Sequence, residues 1–155
     1  MPMNYYSRPI IEPYEDYDFV DAPVSKKDSS FLSAAAKIAS TSPNRFRMGA
    51  MVVKSGRVLG GAVNITKISP STPPNRFSTH AEIAAMNIAS ETSGATLYVA
   101  RLDKFDNTVM AKPCGWCIQK IIEKEIYRVV FTTGFEPLSF YTDMVTWIDE
   151  NQTYL

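Results

Sequence analysis

Residues 95–132 read ATLYVARLDKFDNTVMAKPCGWCIQKIIEKEIYRVVFT, and this stretch decides the fold. Residues 95–100 form a short apolar run of strand length, 113 to about 125 carry the signals of a helix opened by Pro113, and 127–132 form a second β-branched run. Two buried strands that enclose a helix should lie parallel, joined by a right-handed crossover. The chain therefore reads as α/β.

Upstream, a helix is expected from about 29 to 40, capped by Asp28 or Ser29, with Phe31, Leu32, Ala35, Ile38 and Ala39 on one face and Pro43-Asn44 ending it. Apolar runs at 50–53 and 58–63 flank Ser55-Gly56, the signature of a tight antiparallel hairpin. A long polar loop is expected over 65–78, and a second helix from His80 to about 90. Beyond Gly134 the pattern is ambiguous, since 141–150 fits either a closing helix or a last strand with a turn.

A chain of 155 residues with 45% hydrophobic content can bury one sizeable core, so one domain is the default. No apolar run reaches about 18 residues, and the N-terminus has neither a basic flank nor an apolar core. The expectation is a soluble, cytoplasmic protein with no membrane partner. Sixteen Lys and Arg balance sixteen Asp and Glu, which gives no global attraction for a polyanion. Residues 1–24 differ from the remainder: four prolines, four tyrosines and a net charge of −4 read as an extended acidic arm, leaving 25–155 as the domain with +4. The arm is expected either to be a solvated tail or to pack its tyrosines on a neighbouring copy.

The chemistry-bearing residues open two helices: His80-Ala81-Glu82, and Pro113-Cys114-Gly115-Trp116-Cys117. Each piece has another reading. Cys-x-x-Cys at a helix start also suits thiol exchange, and Thr79-x-x-Glu82 also matches a capping box. Taken together they constrain one another. Cys114 and Cys117, three apart, share a helix face and can meet a single metal. The sequence holds one histidine, His80, which opens the other helix. A mixed N/S donor set suits zinc. Structural zinc closes with four Cys or His ligands, whereas this chain has three such residues in all, so one catalytic zinc with water or hydroxide in the fourth position is expected. Glu82, two residues from the first ligand, is then placed to move that water's proton.

His80-Ala81-Glu82 with Pro113-Cys114-x-x-Cys117 resembles the zinc-dependent cytidine and deoxycytidylate deaminase superfamily, recognised by the pattern H-x-E…P-C-x-x-C. The resemblance covers about 29–133 and implies a three-layer fold, a mixed five-stranded sheet flanked by helices. It also implies that Asn64 bonds the substrate ribose, that the backbone N–H of Ala81 holds the base carbonyl, and that copies associate as a homo-oligomer. A histidine as first ligand is shared with deoxycytidylate and polynucleotide deaminases, whereas small free-cytidine deaminases usually place cysteine there. Ala84 and the segment Gly61-Ala62-Val63-Asn64-Ile65 depart from the usual deoxycytidylate pattern, and Ala111-Lys112 replaces the glutamate of tRNA adenosine deaminases.

The expected substrate is a cytosine nucleotide, deoxycytidylate or a related monophosphate, with Arg76 as the phosphate contact and Lys67, Arg101, Lys104, Arg45 and Arg47 as further candidates. Phe77 is expected to anchor its loop or to stack on the base. The alternatives are a deaminase acting on a base within single-stranded DNA, RNA or tRNA, marked by one strip of Arg45, Arg47, Arg76 and Arg101, and a non-enzymatic zinc-stabilised binding protein.

Overall fold

A computed structural model describes residues 14–68 and 76–149, with the side chains at 14–15, 66–68, 76–79 and 149 set aside. In chain order the elements are β1 (Tyr14–Asp18), α1 (Lys26–Ser40), β2 (Arg47–Lys54), β3 (Arg57–Val63), β4 (Ile65–Ile68), β5 (Arg76–Thr79), α2 (Ala81–Ile88), β6 (Thr96–Leu102), β7 (Thr108–Val109), α3 (Gly115–Glu123), β8 (Arg128–Phe131), β9 (Leu138–Tyr141), a 3₁₀ turn (Thr142–Met144) and β10 (Thr146–Asp149).

The central sheet runs β3-β2-β6-β8-β9, with the two-residue β7 added beside the end of β6. As expected, β6 and β8 are parallel and enclose α3, while the other pairings are antiparallel, so the sheet is mixed. The hairpin at Ser55-Gly56 is present, with positive φ at both residues (52° and 75°), the geometry whose twist matches flanking antiparallel strands.

Successive strand side chains point to opposite faces, and the sequence uses this to build two cores. Ala50, Val52, Leu97, Val99 and Val129 pack with α2 and α3 through Ile83, Met86, Ile118 and Ile121. Their neighbours Met51, Val53, Tyr98, Ala100 and Val130 pack with α1 through Leu32 and Ala35. The result is a three-layer sandwich with one helix on one face and two on the other. Close approach of α2 depends on Gly60, where a Cβ would lie 2.8 Å from the backbone nitrogen of Ala89 and 2.9 Å from the carbonyl oxygen of Ala85.

Two expectations are corrected, and the open reading of 141–150 is decided in favour of the strand with a turn. The first helix starts earlier, at Lys26, because Ser25 is its cap: the Ser25 hydroxyl accepts from Asp28 N–H and the Asp28 carboxylate accepts from Ser25 N–H. Asp28 is thus the third helical residue of a capping box. The loop at 65–78 instead holds β4 and β5, paired antiparallel from Ile65↔Thr79 to Ile68↔Arg76, which satisfies backbone groups a bare loop would leave to water. The ambiguous 141–150 contains a 3₁₀ turn and a strand whose partner is β1 from the N-terminal segment, Tyr14↔Asp149 to Asp18↔Thr146. Tyr17 on β1 is 1% exposed and packs within its own chain against Phe19, Phe140 and Trp147. No helix among the described residues is long and apolar enough to cross a membrane.

Asp28 also ties α1 to the sheet. Its carboxylate accepts from Tyr98 Oη on β6 at 2.7 Å and from both terminal nitrogens of Arg128 on β8, one of them at 2.9 Å. Burial by itself would raise the Asp28 carboxyl, but the bonds from Arg128, Ser25 and Tyr98 outweigh it and hold the group well below the ordinary carboxylate range. The folded form therefore favours the ionised acid, so its stabilisation is complete above the unfolded carboxylate range and is lost as pH falls toward the depressed folded value. Asp28→Asn is expected to lose about 3 kcal/mol at pH 7, the cost of leaving Arg128 half-buried without its partner. Urea melts should show the gap between the two proteins narrowing steadily from about pH 5 downward.

Candidate metal and catalytic site

His80 is the cap residue of α2 and Cys114 the cap residue of α3, both in extended backbone conformation (ψ 146° and 166°). Cys117 follows in the first turn of α3 and is completely buried, while Cys114 is exposed. The nitrogen and sulfur donor atoms of these three residues all lie within 4.8 Å of one another. His80 Nδ1 is 2.9 Å from Cys117 Sγ and 3.9 Å from Cys114 Sγ. Trp116 packs edge-on against the His80 ring at 6.1 Å between centroids. One imidazole and two thiols converging on a single point fit a zinc ion, and the third donor is what the thiol-exchange reading has no use for.

Glu82 is buried at 2% exposure in the first turn of α2. The capping-box reading is corrected here, because the cap is His80 and Glu82 is therefore the second helical residue, one short of the position that reaches back. Its Oε1 is buried without a hydrogen-bond partner. Burial pushes the Glu82 carboxyl up, opposed in part by its own backbone N–H and by the charge of His80. A buried carboxyl with an unpartnered oxygen costs stability, which is expected of a group held ready for a proton and a polar ligand and not of a structural one.

The thiols are set apart by their surroundings. Hydrogen bonds from the Cys117 thiol, the His80 ring and the Cys117 N–H, the last at 3.4 Å, pull the Cys114 thiol well below its ordinary value against the effect of its partial burial. The bond to Cys114 and burial push the Cys117 thiol up. The N-terminal ends of two helices add favourable potential for a thiolate at Cys114.

Asn64 follows β3 and is 7% exposed. Its Oδ1 accepts from Met48 N–H (2.9 Å) and Ser42 Oγ (3.0 Å), its Nδ2 donates to Phe46 O (2.6 Å), and its own carbonyl accepts from Asn44 Nδ2 (2.7 Å). It thereby fixes the segment 42–48 beside the strand that leads, through Ile65↔Thr79, to His80. Ala81 is buried in the first helical position. The backbone of Arg76 begins β5, and the side chains of Arg76, Phe77 and Lys67 lie outside the described set. Arg47 is engaged with Asp103 O and, at 2.6 Å, with Asp106, and Arg101 lies over the Phe46 ring at 5.0 Å. Residue-by-residue reading of the sequence missed Tyr17, whose hydroxyl donates to Pro113 O at 2.6 Å. The alternation Tyr17, Phe19 between Asp16, Asp18 and Val20 was the available sign of a strand with one buried face.

The model of the cytidine and deoxycytidylate deaminase zinc-binding region matches residues 25–133. Among solved structures, the chain is similar to the apo dCMP deaminase of cyanophage S-TIM5, at 26% identity and TM-score 0.51 over 66% of this chain and 79% of that one. The same cyanophage enzyme in complex with dCMP and dUMP shares the fold at 24% identity and TM-score 0.51, covering 66% and 78%. A search of curated proteins gives no match. The chain belongs to the cytidine and deoxycytidylate deaminase family and is a hydrolase acting on C–N bonds.

The asymmetry of the two thiols can be measured in metal-free protein. Iodoacetamide at about pH 6 is expected to alkylate Cys114 and leave Cys117 unmodified, because Cys114 is both exposed and ionised whereas Cys117 is neither. Peptide mass spectrometry reads the result, and equal modification of both would contradict the arrangement.

Proposed function

We propose that this family member removes the exocyclic amine of a cytosine nucleotide, preferentially a deoxyribonucleoside monophosphate, giving the uracil nucleotide and ammonia. The observation that carries the reading is the convergence of His80, Cys114 and Cys117 next to the buried, unpartnered Oε1 of Glu82. These three residues would hold one zinc ion per chain, leaving a fourth position for water. Bound there, zinc acts as a Lewis acid that can bring water to a pKa of about 7, so that a nucleophile is present at neutral pH.

Glu82 is the proton carrier. Its carboxylate takes one proton from the attacking water and passes it to the ring nitrogen; it then takes the second from the hydroxyl now on the ring carbon and gives it to the amine, so that the C–N bond breaks, the carbonyl forms and ammonia leaves. Burial suits this cycle, because it stabilises the protonated carboxyl between the two transfers. Ala81 N–H, among the first-turn donors that a helix leaves unpaired internally, would take the base carbonyl. Asn64 would meet the ribose at the end of the segment it already fixes, and Arg76 would meet the phosphate.

Three observations support a monophosphate. The first metal ligand is a histidine; a dCMP deaminase is among the similar structures; and Arg47 is held by Asp106 within its own chain, which takes a cation out of the strip a polymer would need. A second reading, a base within a single strand, is supported by Phe46 and Phe105, 59% and 72% exposed, each stacked with a cation, Arg101 and Lys104 respectively.

Elemental analysis should find one zinc per chain, lost on replacement of His80, Cys114 and Cys117. Glu82→Ala is expected to keep the metal and the fold while lowering turnover by roughly 10² to 10⁴. Ammonia release from cytosine, cytidine, deoxycytidine, their monophosphates, guanine and single-stranded oligonucleotides should be fastest with deoxycytidylate, and Arg76→Ala should raise KM for the monophosphate more than for the nucleoside. Turnover of the oligonucleotide alone, falling steeply with salt, would replace this reading with the second.

A further inference from the structure

The strand β1 lies outside the family match, which begins at residue 25, yet it reaches the metal site from behind. Five contacts converge on the two residues that precede Cys114. Tyr17 Oη donates to Pro113 O at 2.6 Å in a buried setting. The Lys112 ammonium stands 4.4 Å from the Tyr17 ring centroid and 5.5 Å from that of Phe19. The same ammonium contacts the Asp16 carboxylate at 3.5 Å and the Tyr17 carbonyl at 3.4 Å.

Pro113 has no N–H, so its carbonyl is its one backbone hydrogen-bonding group, and Tyr17 supplies the donor. Tyr17 itself is fixed by ring contacts with Phe140 and Trp147 at about 6 Å and by the pairing of β1 with β10. Cys114 lies at the surface as a helix cap: α3 holds it from one side, through Ile118 N–H to its carbonyl at 2.9 Å and Cys117 N–H to its sulfur at 3.4 Å, and Pro113 leads into it from the other.

We propose that Tyr17 is a positioning residue for the metal site: by binding Pro113 O, with Lys112 clamped on its ring, it fixes the turn that presents Cys114 and so sets how tightly a zinc-type cation is held. This rests on the reading of His80, Cys114 and Cys117 as metal ligands. It makes the added N-terminal strand part of the working site. Partners that orient a ligand from behind typically alter metal affinity by about 10- to 100-fold when removed.

The test compares the full chain with Tyr17→Phe, which keeps the ring and deletes only the donor. Zinc transfer to a chromophoric chelator and the absorption spectrum of the cobalt-substituted protein are the readouts. Tyr17→Phe is expected to lose zinc at least about tenfold faster and to shift the cobalt–thiolate bands. Lys112→Met, at a partly exposed position, should give a smaller change in the same direction. Val52→Ala loosens the same core from β2 in the central sheet and should lower the melting temperature while leaving affinity and spectrum as in the parent. Tyr17→Phe with the parental zinc transfer and cobalt spectrum overturns the proposal and leaves the metal site standing. Equal changes in Tyr17→Phe and Val52→Ala also overturn it, by reducing Tyr17 to core packing. A parent chain that shows no cobalt–thiolate band overturns the metal reading and this proposal together.

Discussion

Two helix N-termini meet on one face of the sheet, and the rest of the site is a response to that constraint. His80 caps α2 and Cys114 caps α3, so each helix directs its positive end and its unpaired N–H groups at the same small volume. Two such ends repel unless negative charge lies between them. The Cys114 thiolate, exposed and hydrogen-bonded, is the group that supplies it, whereas burial pushes the fully enclosed Glu82 carboxyl toward its neutral form. Two thiolates and an imidazole at this focus can take a divalent cation with little net charge left over.

The sheet determines where that focus lies. Strands β6 and β8 run parallel on either side of α3, so the start of α3 must come up at the end of the sheet where β6 finishes. Helix α2 arrives from β5 and settles against β3, where Gly60 has no side chain to keep it away. The opposite face holds α1 and carries no site chemistry. Its specificity comes from Asp28, which closes the helix cap and at the same time receives Tyr98 and Arg128 from two neighbouring strands. The other face buries the Glu82 carboxyl, whose Oε1 has no hydrogen-bond partner.

Two further segments adjust the surroundings of the metal site. Asn64 spends its amide on the backbone at 46 and 48 and on Ser42, so the chain entering β2 is shaped by the residue that follows β3. The strand β1 pairs with β10 and presses Tyr17 against the turn before Cys114. Neither device is part of the H-x-E…P-C-x-x-C pattern, and both give this chain features that the family pattern leaves open.

The meeting of His80, Cys114 and Cys117 was legible in the sequence because short spacings fix local geometry. Cys114 and Cys117 share a helix face wherever that helix lies, and a chain with one histidine leaves no choice for the third donor. The strand–helix–strand unit at 95–132 and the Ser55-Gly56 hairpin were legible for the same reason, since apolar period and turn chemistry act over a few residues. The helix start was misjudged by three residues because Ser25 and Asp28 fit a cap as well as Asp28 or Ser29 do, and only the Arg128 and Tyr98 contacts make Asp28 the buried third position. Strands β4 and β5 were not legible, β10 was one of two open readings and β1 left only a short alternation as its sign, because a strand exists by virtue of a partner. Tyr14 finds its partner at Asp149, at the far end of the chain, and no local pattern encodes a pairing of that separation. Tertiary structure likewise decided whether Glu82 caps a helix or stands free of one. That turned on a one-residue difference in where α2 begins: with His80 as the cap, Glu82 is the second helical residue, and the side chain that reaches back in a capping box is the third.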